Sequence, residues 1–310
     1  MMKAIGQSSN SKLVFKYCSA IDTPMSTKPT NPRTKKTFGK KPFFRNTPAP
    51  GVQKAKEFQK SGRPLTPRTP ERVLVANPEN DLIYGAHPVT EALKNTKRKP
   101  VNLWCTENAF LRLKEDAPGI SITPEIVHPR LLDHMLKSAD AVHQGIIFEA
   151  KPLHQPRLDE VSRDGMIVLL DQVTDPHNVG AIMRSCAAFN VSAVVVTARH
   201  SAEATGVFFK AASGAYEHVP YVTVTNLARA MDELIGYGFH LVGLDSDAEV
   251  DMANVDKMRP LALVLGAEGK GLRQLTAKTC HEVARIDMPG VIKSLNVSIA
   301  CAVSLYALTH

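Results

Sequence analysis

Three segments of this chain place ligand-gripping side chains directly after strand-like apolar runs. Asp171–Arg184 (DQVTDPHNVGAIMR) begins where a buried run ends, turns at Asp175-Pro176 and enters a helix near Asn178. Leu263–Leu272 (LVLGAEGKGL) passes from a strand into three glycines around a carboxylate, Glu268. Ile286–Ala300 (IDMPGVIKSLNVSIA) ends a strand at Pro289-Gly290 and gathers Ser294, Asn296 and Ser298 at a helix start. Ligands of open α/β sheets bind beyond the carboxyl ends of the strands, where all three segments fall. Glycines there let backbone approach a ligand closely. The inventory suits positioning and polarisation: the amides of Asn178 and Asn296, the hydroxyl of Ser294, the carboxylate of Glu268 and the guanidinium of Arg184. Arg184 is expected about one and a half turns into its helix, near the mouth of the site. Each segment alone has a plainer explanation: a Pro-Asn turn with a surface arginine, a β-turn, and a capped helix start.

Residue types and spacing exclude other chemistries. There is no G-x-S-x-G elbow. The second segment's glycines are spaced G-x-x-G-x-G, neither a P-loop nor a dinucleotide fingerprint. The histidines, among them His87, His177, His200, His218 and His240, form no H-x-x-x-H or H-x-E cluster, so no metal site is expected. The cysteines (Cys18, Cys105, Cys186, Cys280 and Cys301) include no C-x-x-C pair, which argues for a reducing compartment and against a disulfide scaffold. Asp245, Asp247, Glu249 and Asp251 recur at spacing two but lack the glycine and terminal glutamate of a calcium loop, and read as a solvated acidic turn. The longest apolar runs, such as Met166–Leu170, are too short to span a bilayer. No apolar h-region follows Met1, so no secretory signal is expected. With 6% aromatic residues and one Trp, a stacking-platform RNA binder is disfavoured.

The elements that must position these segments follow from periodicity. MIVLLD (166–171) is continuously apolar, as a buried parallel strand requires. A helix over Asn178–Asn190 carries Val179, Ile182, Met183, Cys186 and Phe189 on one stripe. Further strands are expected at 191–197, His218–Val224, Phe239–Leu244, Leu261–Leu265 and Val283–Met288. Helices are expected near Glu203–Ala212, Asn226–Tyr237 and Asn296–Leu308. The alternation makes residues 165–310 an α/β domain with a mostly parallel sheet. Residues 81–150 form a smaller α/β unit, with a strand before Gly85, a helix from Pro88, strands Val101–Cys105 and Gly145–Phe148, and a short helix Arg130–Lys137. Residues 151–164, opening KPLHQPRLDE, read as a linker.

Charge is unevenly placed along the 310 residues. Residues 1–72 hold 16 Lys+Arg against 3 Asp+Glu, a net of +13, which leaves −5 for residues 73–310 within the overall +8. The same stretch holds 9 of the 21 prolines. It cannot bury enough apolar surface to offset its ordering entropy and is expected to be a disordered basic tail. Its composition also fits a mitochondrial transit peptide, or an extension ahead of a start at Met25.

Taken in order, Asp171–Arg184, Leu263–Leu272 and Ile286–Ala300 resemble the three motifs of the SpoU/TrmH family (SPOUT superfamily) of RNA ribose 2′-O-methyltransferases. Residues 81–150, through GAHPVTEAL and HQGI (His143–Ile146), resemble the small RNA-binding domain, similar to ribosomal protein L30e, that precedes the catalytic domain in many members. The nearest subgroup is the bacterial 23S rRNA guanosine-2′-O-methyltransferases. This resemblance implies a deep C-terminal trefoil knot, an exception to the rule against threaded chains. It implies S-adenosylmethionine as methyl donor, touched by Leu244, Gly266, Ile286, Met288, Leu295 and Asn296. It also implies an rRNA substrate, a homodimer packed through the knotted domain, and bacterial cytoplasm in preference to mitochondria.

By the same resemblance Arg184 is the catalytic arginine. A guanidinium with a pKa above about 12 is a poor base, so Arg184 is expected to bind the target phosphate or polarise the 2′-oxygen. Asn178 and Glu268 would orient it and the nucleotide, while Ser294 and Asn296 line the donor and hydroxyl positions. Asp287 stands where the family carries proline and adds a charge beside the donor loop. A tRNA 2′-O-methyltransferase of the same family and a non-catalytic RNA-binding assembly factor are the alternatives. Because residues 73–310 carry −5, local bases such as Lys94, Lys97, Arg98, Lys99, Arg184 and Lys293 are expected to position RNA, with the tail adding salt-sensitive attraction.

Overall fold

The computed structural model describes residues 73–136 and 141–310; the expected basic tail, 1–72, lies outside them. The first sheet is built from β1 (Asp81–Tyr84), β2 (Pro100–Cys105), β3 (Glu125–Ile126) and β4 (Ile146–Ala150), in the order β1-β4-β2-β3. β4 runs antiparallel to β1 and β2, and all five of its residues are buried. Helices α1 (Ala86–Lys94), α2 (Glu107–Asp116) and α3 (Pro129–Leu136) complete this unit. α2 and β3 have no counterpart in the sequence reading. α2 buries only Ala109 and Leu113, too sparse a stripe to read, and begins because the Thr106 side chain accepts the Ala109 N–H.

Among the described residues the second sheet has seven strands, every pairing parallel, in the order β7-β6-β5-β10-β8-β11-β9. Along the chain run β5 (Met166–Asp171), α4 (Pro176–Ala188), β6 (Ala193–Thr197), α5 (Gly206–Ala212), β7 (Tyr221–Val224), α6 (Leu227–Gly236), β8 (His240–Leu244), β9 (Val250–Asp251), β10 (Leu261–Gly266), α7 (Gln274–Thr279), β11 (Glu282–Arg285) and α8 (Val297–Thr309). Alternate strand residues feed two cores, as the period of two demands. Val168, Leu170, Val194 and Leu263 pack with α4, α5 and α8, while Ile167, Leu169, Val195 and Val264 pack with α6 and α7. The first of these cores runs on into the smaller sheet through Ile83, Val89 and Phe148. α4 crosses α5 in close contact at Gly180, where a Cβ would stand 2.5 Å from the Ala211 Cβ and 2.7 Å from the Phe208 carbonyl oxygen.

Several expectations need correction. The strand expected over His218–Val224 is shortened to Tyr221–Val224, preceded by a 3₁₀ turn at Ala215–Glu217. Pro220 lacks the N–H a ladder needs. The strand expected to reach Met288 ends at Arg285, where its neighbour β9 runs out. α4 begins at Pro176, so Arg184 lies more than two turns in, not about one and a half. α7 was not anticipated; with six residues it is too short for a periodic signal. The segment read as a linker is packed: Leu158 and Val161 are buried, and the Gln155 side chain donates to the Tyr216 hydroxyl (2.8 Å) and accepts from the Tyr221 N–H (2.9 Å).

Arg98 is the largest correction. Its side chain is 1% exposed and cannot meet RNA. It donates to Asp81 (2.5 Å), to Glu217 (2.8 Å) and to the Lys151 carbonyl (3.1 Å), and lies over the rings of Phe209 and Tyr216. Burial pushes the Asp81 carboxyl up, more than the guanidinium draws it down, and burial raises the Tyr216 hydroxyl to about 12. Arg98 and Asp81 belong to the smaller sheet's unit and Glu217 to the larger, so this cluster ties the two together.

Candidate active site

β5, β10 and β8 end level, with Gly266 paired to Asp171 and Leu265 to Leu244. Beyond the ends of β10, β8 and β11 opens a cavity of about 640 Å³. Leu244, Gly266, Ile286, Met288, Leu295 and Asn296 all line it, together with Glu268 and Ser294. Asp287 is exposed and does not line it, so its charge faces away from a cavity walled by its two neighbours.

Hydrogen bonds link the three motif segments. The Asn296 Nδ2 donates to Asn178 Oδ1 at 2.9 Å, and Asn178 Nδ2 donates to Glu268 Oε2 at 3.4 Å. Asn296 Oδ1 accepts both the N–H (2.9 Å) and the hydroxyl (2.6 Å) of Ser298, capping α8. The helix cap that the segment's Ser294 would supply by sequence alone is instead Asn296, whose amide nitrogen still serves the site. α4 places Asn178 in its first turn because Asp175 caps the helix, accepting the His177 N–H at 2.9 Å. Arg184 is not brought to this group. It is exposed, lies off the cavity lining, and stands roughly 120° around α4 from Asn178 at 3.6 residues per turn. Its guanidinium has no partner among the described residues and is free to grip an external anion.

The sequence reading missed several wall residues. Asp245 and Asp247, taken for a solvated acidic turn, line the cavity, as do Lys270 and Lys293. Their signal was available: Asp245 directly follows a strand of the parallel sheet. The Lys293 ammonium donates to the Met288 carbonyl, holding the donor loop's two ends together. Behind the wall, the wholly buried Asp171 carboxylate accepts Arg273 Nε at 2.6 Å and the Arg273 N–H at 3.2 Å. Burial, with Asp171 adding to it, pushes the Cys280 thiol up to about 12, which rules it out as a thiolate nucleophile at neutral pH. Among the described residues, no group of three or more His, Cys, Asp or Glu is arranged to hold a metal ion.

Among the glycines of the cavity wall, Gly266 has the least room for a side chain. A Cβ there would lie 2.1 Å from the Gly271 carbonyl carbon and 2.4 Å from the Leu272 nitrogen, both backbone atoms that cannot swing aside. Gly266→Ala is expected to lower unfolding free energy by about 1–3 kcal/mol in denaturant titration. A loss below a few tenths of a kcal/mol would show that the loop opens freely.

Fold and cavity together define a parallel α/β enzyme that takes its ligand at the strand ends. The SpoU rRNA Methylase family model matches residues 165–306, and a model for RNA 2′-O ribose methyltransferase substrate binding matches residues 82–156. The 23S rRNA (guanosine-2'-O-)-methyltransferase RlmB of Vibrio cholerae is 37% identical over 237 residues, 73% of this chain and 95% of that one. The putative TrmH family tRNA/rRNA methyltransferase YacO of Bacillus subtilis is 34% identical over 239 residues, 74% of this chain and 94% of that one. The crystal structure of the SpoU methyltransferase AviRb from Streptomyces viridochromogenes with its cofactor AdoMet has the same fold, with a TM-score of 0.63 at 23% identity, over 74% of this chain and 89% of that one. The chain belongs to the SpoU rRNA methylase family.

Proposed function

We propose that the protein transfers a methyl group from S-adenosylmethionine to the ribose 2′-oxygen of a guanosine in 23S rRNA. The observation that carries this reading is the convergence of the second and third motif segments on one cavity, with the first segment joined to them by the Asn296–Asn178–Glu268 hydrogen bonds. The residues suit the donor. The volume lies within the roughly 300–1,000 Å³ usual for cofactor sites. Leu244, Ile286, Met288 and Leu295 offer apolar seats for a base, Gly266 offers bare backbone, and the carboxylates of Asp245, Asp247 and Glu268 outnumber the wall lysines Lys270 and Lys293, which favours a cationic ligand.

When bound, the donor supplies an electrophilic methyl on a sulfonium. The chain's own work is to bring the hydroxyl into line and to stabilise charge as the oxygen–carbon bond forms and the carbon–sulfur bond breaks. Asn178 and Asn296 fix each other and Glu268 at the cavity rim, where a ribose can be held. Arg184 binds the target phosphate, which takes the hydroxyl proton. The tRNA alternative is disfavoured by residues 82–156, matched by the substrate-binding model. The non-catalytic alternative is disfavoured because every wall residue expected from the motifs is in place and Asp287 is outside the wall. The smaller unit would serve as an L30e-like RNA-binding module, the C-terminal segment as a trefoil knot, and the cytoplasm as the compartment.

Dimerisation fits the last helix. α8 exposes Ile299 (53%), Val303 (40%) and Tyr306 (59%), residues at i, i+4 and i+7 that form one stripe. The wild-type chain is expected to sediment as a dimer and the Ile299→Asp/Val303→Asp variant as a monomer; equal masses would remove this surface as the interface. The function itself is tested by mapping ribose methylation in 23S rRNA from a strain lacking the protein. One guanosine should lose its methyl and regain it on incubation with protein and donor. Loss at a tRNA nucleotide instead would overturn the rRNA reading.

A further inference from the structure

We propose that a second cavity at the same sheet edge binds a phosphodiester of the RNA close to the methylated nucleotide. This rests on RNA being the substrate and adds a place for its backbone. The cavity, about 380 Å³, lies over the ends of β5, β6 and β7, whereas the first lies over β10, β8 and β11. The loop from Gly266 to Arg273 divides them, Gly266–Gly271 facing the first and Arg273 the second.

The lining is cationic. Arg199, His200 and Arg273 face the cavity, and among the described residues no carboxylate lines it. Arg273 is pinned through Nε by the buried Asp171 carboxylate, which leaves its two terminal nitrogens without a partner among the described residues. That pairing orients a guanidinium fork, the geometry suited to phosphate oxygens. The side chain of Arg199 also has no partner among the described residues. The turn that carries it is held by Thr197 Oγ1, which donates to the Arg199 carbonyl (2.5 Å) and shares a hydrogen bond with Ser201 Oγ (3.1 Å). α6 begins at the cavity, and its Asn226 cap is satisfied by the Arg229 N–H, leaving the Leu227 and Ala228 N–H groups at the positive end of the helix. Arg199 without a paired acid, the outward donors of Arg273 beyond its Asp171 partner, and a helix start call for an anion. A polyanion whose target ribose sits at Asn178 and Asn296, one strand end away, brings that anion with it.

The test compares the full-length wild type with Arg199→Ala and Arg199→Lys on an rRNA fragment carrying the target guanosine. Arg199 is exposed and unpaired, so its removal leaves no buried group stranded. For Arg199→Ala, KM for RNA should rise several-fold while kcat at saturating RNA and donor affinity change by less than about twofold. The slope of log affinity against log salt should flatten by about one, the signature of one lost phosphate contact. Arg199→Lys should recover part of both. Methylphosphonate replacement of single phosphates within a few nucleotides of the target should weaken the wild type and leave Arg199→Ala unaffected. An unchanged KM and salt slope, or equal sensitivity of both proteins at every phosphate, would overturn the site. Methylation of the unmodified fragment by the wild type reports separately on RNA as substrate.

Discussion

Replacing Arg184 with alanine is expected to lower kcat for ribose methylation by about a thousandfold or more, with donor affinity within about twofold of the wild type. The expectation follows from where the side chain stands. Arg184 is exposed on α4, off the donor cavity, and no described residue pairs with it. Its loss therefore leaves the cavity wall and the Asn296–Asn178–Glu268 link undisturbed. A charge-assisted contact to the target nucleotide that strengthens as the 2′-oxygen gives up its proton acts on kcat, not on donor binding. Arg184→Lys keeps the charge without the fork and should fall between. Single-turnover methyl transfer with radiolabelled donor, beside a calorimetric donor titration, decides the matter. Near wild-type turnover in Arg184→Ala, or an equal loss of donor affinity, would remove Arg184 from the chemistry.

Arg98→Met should cost about 3–5 kcal/mol of unfolding free energy, because it strips the guanidinium from two buried carboxylates and leaves Glu217 with the neutral Asn95 amide (2.7 Å) in place of a charge partner. Asp81 and Glu217 have side chains 12% and 2% exposed, so water cannot replace the lost donors. The triple variant Arg98→Met/Asp81→Asn/Glu217→Gln should recover a good part of the loss, since it removes the stranded charges along with their partner. The pH dependence has a definite sign. Burial already holds the Asp81 carboxyl above its ordinary value, and the guanidinium opposes that rise. Without Arg98 the folded carboxyl rises further and binds its proton more tightly than the unfolded one. Folding then takes up a proton, and stability grows as pH falls from 7 towards the unfolded carboxylate value of about 4. The deficit of Arg98→Met relative to wild type should therefore shrink on acidification. Urea denaturation at pH 7 and pH 5 measures both effects. A loss under about 1 kcal/mol, or a deficit that widens at pH 5, would show that the cluster does not hold the two units together.

Much of this was legible in the chain itself. MIVLLD could only be a buried strand, and the glycines and polar residues after β5, β10 and β11 marked the edge where a site belongs. Those inferences are local, and local patterns survive folding when tertiary packing agrees with them. Readings failed where the deciding partner was remote. Lys94, Lys97, Arg98 and Lys99 looked like one basic patch, but Glu217, 119 residues from Arg98, draws that one side chain inside. Asp245 and Asp247 looked like a solvated turn although Asp245 directly follows β8, because the residues after β10 and β11 that line the same cavity are distant in sequence. Arg273 drew no notice at all, since its partner Asp171 is 102 residues away.

By itself, then, the sequence determined the parallel α/β architecture, the three motif segments, and the inventory of amides, carboxylate and guanidinium they carry. Only the tertiary structure decided how each charged group is used. Arg98 is spent inside the protein, Asn296 caps α8 and reaches Asn178, 118 residues distant, and Arg184, Arg199 and the outer nitrogens of Arg273 have no partner among the described residues. The physical reason is that a charge withdrawn from water must find its counterpart nearby in space, and that counterpart is supplied by topology, not by neighbouring residues.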